Sequence, residues 1–159
     1  EGILVPYIHG GGKIGVMVRA ESPAGAIPEV LAAAKDCALQ VAAMNPPYLK
    51  REDVPASVLD EEKKIILAQM AEDPKMANKP DQVKEKIAAG KVGKYYGENC
   101  LLEQAFVKEN KETVQSYVDG VAKAAGTTIK ITDFVRFERG EGIEKKADNF
   151  AEEIASMIK

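Results

Sequence analysis

His9 is the single histidine of 159 residues, and it stands directly before Gly10-Gly11-Gly12, the kind of run with which some esterases hold an oxyanion. That chemistry needs a serine in a Gly-x-Ser-x-Gly elbow and a second relay group, and the chain contains neither the elbow nor another imidazole. Gly12-Lys13 partly matches the end of a phosphate-binding loop, but Tyr7 occupies the place of the first loop glycine and Ile14 that of the serine or threonine. A structural hairpin turn explains the glycines better than either reading. His9 is then a turn residue, with a titrating switch as the alternative. Glu138, Glu141 and Glu144 could suggest an acid-base or metal site, but no histidine or aspartate partner supports one, and they read as a solvated turn. Cys37 and Cys100 are too few and too far apart for a zinc site of ordinary spacing. No bond chemistry and no cofactor are expected.

The balance of 22 basic and 25 acidic residues gives a formal charge of -3, with the two signs mixed along the chain. A nucleic-acid binder concentrates positive charge to displace counterions from phosphate, and that footprint is missing here. No apolar run reaches the roughly 20 residues that a membrane span needs, and no secretory leader is evident. Two free thiols suit a reducing compartment. The expectation is a cytoplasmic protein that meets another protein, with neither nucleic acid nor membrane as partner. The first residue is Glu1 and a strand pattern starts at Ile3, so the chain reads as part of a longer protein.

Around the glycine turn, Ile3–Ile8 and Lys13–Ala20 are rich in aliphatic and β-branched residues and predict an antiparallel hairpin. Ile14, Val16 and Val18 share one face of its second strand, and Met17 and Arg19 the other. From Ile27 to Met44 the apolar residues Ile27, Val30, Leu31, Ala34, Ala38, Val41 and Met44 recur at three and four, and Asn45-Pro46-Pro47 stops the pattern. Cys37 falls seven places after Val30 and is placed in the core by that spacing.

Val58–Ala71 carries a thin stripe of Leu59, Ile66 and Met70 among charged residues, and a second stripe of Val83, Ile87, Lys91 and Tyr95 follows Pro80. Stripes this narrow suit two helices pairing with each other. Residues 57–97 are therefore expected to form an inserted, protruding antiparallel helical arm, ended by a break at Gly97–Asn99. Leu101–Val107 is an apolar segment, and Thr113–Ala125 predicts a helix through Val114, Tyr117, Val118 and Val121, stopped by Gly126. Thr128–Phe137 predicts a strand with Ile129, Ile131, Val135 and Phe137 on one face; Asp133 interrupts that parity, which a bulge or a solvent-facing end would explain. Ala147, Phe150, Ile154, Met157 and Ile158 line one face of a last helix. The expected fold is α+β: one domain over 1–159, a three-stranded antiparallel sheet packed with helices, plus the helical hairpin.

The turn His9–Lys13, the following Ile14-Gly15-Val16 and the closing run Phe137-Glu-Arg-Gly-Glu-Gly-Ile-Glu144 resemble bacterial elongation factor Ts in order and spacing. The succession of elements resembles the carboxy-terminal half of that family's core, including its helical arm. The resemblance implies a guanine nucleotide exchange factor that binds elongation factor Tu and promotes GDP release during translation elongation. It also implies contacts with Tu from His9 and Gly10 in the histidine-glycine turn, from Val107 in an element where Ala105 replaces the family's proline, and from Phe150 and Ile154 on the last helix.

Thr132-Asp133-Phe134-Val135 spells the family's exchange element, yet the resemblance places that element in a preceding half and these residues in a core strand. A fragment without that half is expected to bind Tu and exchange nucleotide poorly. The alternative is a self-association module, a homodimer formed through a sheet edge or the arm.

Overall fold

The computed structural model describes residues 2–143. The expected last helix, with Phe150 and Ile154, lies outside the described residues.

The first two strands, β1 (Ile3–His9) and β2 (Ile14–Glu21), form the expected hairpin, in register from Ile3 opposite Ala20 to His9 opposite Ile14. Gly10, Gly11 and Gly12 make its turn with φ of 60°, 63° and 88°, a left-handed path that a side chain would strain. The last strand of the sheet, β5 (Lys130–Glu138), pairs antiparallel with the free side of β2, giving the order β1-β2-β5. Val5, Val16, Val18, Ala20 and Ile131 point inward and are buried.

The sequence alternation of β5 does not survive in space. Arg19 pairs with Asp133 and Ala20 with Ile131, so Thr132 is the extra residue of a bulge. The bulge reverses the parity downstream: Phe134 pairs with buried Val18 and turns inward, while Val135 and Phe137, expected to share a face with Ile131, turn outward.

Helix α1 (Pro28–Met44) covers the inner face of the sheet. Its contact surface is made of small residues, Ala33, Ala34, Cys37 and Ala38, all fully buried, which lets the helix lie close to the strands. The face is rotated from the expected one: Leu31 and Met44 are exposed, and Gln40 is buried in their stead. Asn45 ends the helix in the left-handed region, at φ 45° and ψ 54°, with its N–H on the Val41 carbonyl.

The arm consists of α2 (Ala56–Glu72) and α4 (Asp81–Asn99), joined through the single turn α3 (Pro74–Ala77). Ile66, Met70 and Ala88 form a small apolar cluster of its own, with Leu67, Ile87 and Val92 against it. Val83 and Lys91, expected on the stripe, are exposed. The break expected at Gly97–Asn99 does not occur. Glycine costs a helix only about 1 kcal/mol per residue, and the last turn is held by the Asn99 side-chain N–H on the Tyr95 carbonyl and the Cys100 N–H on the Tyr96 carbonyl, both at 2.9 Å.

Tyr48 N–H donates to the Asn99 carbonyl and Leu101 N–H to the Tyr48 carbonyl, which fastens the loop after α1 to the base of the arm. Beyond a single helical turn at Leu101–Glu103, a small second sheet forms from β3 (Ala105–Phe106) and β4 (Glu109–Thr113). Its second strand reads Glu-Asn-Lys-Glu-Thr and carries no apolar alternation, which is why the sequence did not announce it. Thr113 then caps α5 (Val114–Ala124), accepting from Ser116 N–H, and Val114, Val118 and Ala122 enter the core. Thr127 N–H on the Ala122 carbonyl, with Gly126 at φ 66°, closes the helix in a Schellman pattern.

Candidate docking turns

His9 is the last residue of β1, half-buried, with its Nδ1 3.1 Å from the Tyr7 hydroxyl and the two rings tilted at 36°. Gly10 follows it into the exposed turn, and Gly10 O accepts from Lys13 N–H. The turn is also held from just beyond β5, because Arg139 N–H donates to the Lys13 carbonyl at 2.8 Å. It is a braced backbone feature with one imidazole at its edge.

Val107 occupies the turn of the other hairpin. With Phe106 paired to Glu109, Val107 and Lys108 are the two turn residues, and Ala105, in the family's proline position, is a strand residue opposite Thr113, across a register shift from Phe106. Phe106 is buried and stacks on Tyr117, ring centroids 4.2 Å apart. Lys108 pairs with Asp36 of α1, whose other carboxylate oxygen accepts from the Tyr117 hydroxyl at 2.6 Å. Burial, followed by that hydrogen bond, raises the Tyr117 pKa above its ordinary value. Between these two anchored neighbours the Val107 side chain is 42% exposed. The two turns belong to different sheets, and α1 touches both: it packs on β1 and β2, and its Gln40 bonds to Ala105 and Val107.

The cysteines do no work at either turn. Burial pushes the Cys37 thiol up to about 12, with the Asp36 charge adding to the effect, and pushes Cys100 up to about 11. Both stay protonated at neutral pH. Among the described residues no group of three or more His, Cys, Asp or Glu side chains could hold a metal ion, and no helix is long and apolar enough to cross a membrane.

The outer face of the main sheet is apolar as well, which the sequence reading passed over. Pro6, Met17 and Val135 form one cross-strand row, and Ile8, Gly15 and Phe137 the next, with Ile8 66% and Phe137 68% exposed. The available signal was β1 itself: Ile3–Ile8 has apolar residues of both parities, the pattern of a strand with two apolar faces.

The described residues thus form a small α+β scaffold that presents two braced turns and exposed apolar side chains on the outer sheet face. A family model described as Elongation factor TS matches residues 1–141. Elongation factor Ts of Clostridium kluyveri is 46% identical over 99% of the chain and 50% of its own length. That of Syntrophotalea carbinolica is 43% identical over 100% of the chain and 51% of its own length, and that of Desulforamulus reducens 40% identical over 100% and 73%. The chain belongs to the elongation factor Ts family, a family of translation elongation factors. It spans about half the length of the first of these relatives.

Proposed function

We propose that the chain is the docking portion of a guanine nucleotide exchange factor, which binds elongation factor Tu in the cytoplasm and promotes GDP release without making or breaking a bond. Family membership over residues 1–141 carries the reading, and the two braced turns, His9-Gly10 and Val107-Lys108, are its proposed contacts. A rigid, exposed turn suits this task because it enters an interface with little ordering cost. Residues 57–97 are proposed as an arm inserted into a single domain.

Linkage sets the test. A partner that speeds release by preferring nucleotide-free Tu must itself bind more tightly when nucleotide is absent, by the same factor. Immobilised chain is expected to retain more Tu without GDP than with it; equal retention would rule out exchange by this route. In stopped flow, release of fluorescent GDP is expected to be only weakly accelerated. Val107→Asp is expected to weaken Tu binding by roughly ten-fold, as for one well-packed contact residue.

One observation favours a second reading, self-association, through the outer sheet face. Two copies packed face to face would cover the exposed rows through Met17, Val135 and Phe137. Light scattering across a concentration series decides it: a constant monomer mass excludes the dimer.

A further inference from the structure

Gln40 is fully buried in the middle of α1, with its amide aimed at the small hairpin. Its Nε2 donates to the Ala105 carbonyl and to Gln104 Oε1, both at 3.1 Å, and its Oε1 accepts from Val107 N–H at 2.9 Å. The flipped amide would set its oxygen against two acceptors and its nitrogen against a donor, so the surroundings admit one orientation. Gln104, also buried, passes the connection on: its Nε2 donates to the Glu98 carbonyl in the last turn of α4. Two side-chain amides thus join the core helix, the hairpin turn and the base of the arm.

The turn needs this support. Two-residue hairpins that match strand twist place a residue at positive φ. Neither Val107 nor Lys108 has one; the non-glycine residue with positive φ among those described is Asn45. The turn geometry is therefore imposed from outside, by Gln40 on the backbone of Ala105 and Val107 and by the anchors at Phe106 and Lys108.

We infer that Gln40 is a positioning residue for partner docking: its amide clamps the backbone on both sides of Phe106 and so fixes where the exposed Val107 side chain is presented. This rests on the reading of Val107 as a contact with Tu. The inference adds that docking strength is set by a residue which the partner never touches.

The test uses the full chain with Gln40→Met, close in volume and unable to form the three bonds, and purified nucleotide-free elongation factor Tu as the probe. Hydrogen exchange at the Val107 amide is expected to quicken roughly ten-fold, with the β2 amides unchanged. Tu binding by calorimetry is expected to weaken about ten-fold. In a Val107→Asp background the same substitution is expected to change Tu affinity by less than roughly two-fold, because it acts through Val107. A general loss of folded protein would instead weaken binding equally in both backgrounds, and that outcome overturns the inference.

Unchanged exchange at Val107 overturns the clamp while leaving the docking reading intact. Full Tu binding by Val107→Asp overturns the docking role of this turn, and of Gln40 with it, whatever the exchange shows. Gln104→Met is the control: it keeps the Gln40 bonds to Ala105 and Val107, and Val107 is expected to stay protected. If Gln40→Met melts below the working temperature, Gln40→Asn carries the same test, its amide being one methylene too short to reach Ala105 and Val107.

Discussion

The sheet with α1 and the arm are stabilised in different ways. In the first, Val18 of β2, Val30, Ala34 and Val41 of α1, Leu101 of the single turn after α4 and Val114 of α5 are all fully buried in one cluster. In the second, two helices of 17 and 19 residues share a cluster of Ile66, Met70 and Ala88. Apolar burial contributes roughly 25 cal/mol per Å², so the arm holds a far smaller share of the folding free energy. A long element can be regular and still be weakly anchored. The arm is expected to open locally while the sheet and α1 open only with the whole molecule.

Leu101→Ala attacks the junction where the single turn after α4 enters the main cluster. It is expected to cost about 3 kcal/mol and to lower the urea midpoint of the whole chain, read by tyrosine fluorescence. A loss confined to the arm would mean that the junction belongs to the arm. Met70→Ala is expected to cost about 2 kcal/mol, felt as faster hydrogen exchange across α2 and α4 with the β2 amides unmoved. Equal acceleration in β2 would make the two regions one cooperative unit.

The thiols sharpen the same contrast. Their pKa values are raised on folding, from 9.0 to about 12 for Cys37 and to about 11 for Cys100, so the folded state holds more protons than the unfolded one between those limits. The stability contributed by the protonated thiols is present below pH 9 and is lost as pH rises toward 11 and 12. Cys37→Ala is expected to flatten the alkaline end of a stability curve. Iodoacetamide is expected to label Cys100, at the arm base, before Cys37 on the buried face of α1; labelling in the reverse order would contradict a locally opening arm. The smallest effect is expected from Arg51→Gln. It removes a bidentate pair with Glu103, both contacts at 2.7 Å, and a stack over Tyr96, but exposed pairs contribute little, and a thermal melt is expected to stay in place.

The legible parts of the molecule were those where one local rule decides. Three glycines before a β-branched run specify the first hairpin, and Gly126 the end of α5. The misplaced parity of Asp133 pointed to a bulge, which is present at Thr132, but not to the outward turn of Val135 and Phe137; legibility failed where tertiary contacts rule, as where α1 turns Leu31 outward and where the polar strand Glu109–Thr113 pairs with Ala105–Phe106. The site divides in the same way. His9 and Gly10 stand in the turn their sequence predicts, and Val107, chosen through family resemblance, proves to be a turn residue of a hairpin the periodicity did not contain. Gln40 gave no sign at all, since a glutamine within a helix reads as a solvated position until the chain brings Gln104 against it, 64 residues later.

The bulge at Thr132 can also be described as a change of phase. Along β5 the apolar residues form a wave of period two, and one unpaired residue advances it by half a wavelength, so that Val135 and Phe137 become surface and Phe134 becomes core. Deleting Thr132 would straighten the strand and leave that assignment intact, because Asp133 would still follow Ile131 outward. Regular pairing with Thr132 retained would reverse it and bury Val135 and Phe137. Whether the apolar side chains of this strand build an interior or an exposed face is thus decided by the placement of a single residue, with no change in composition.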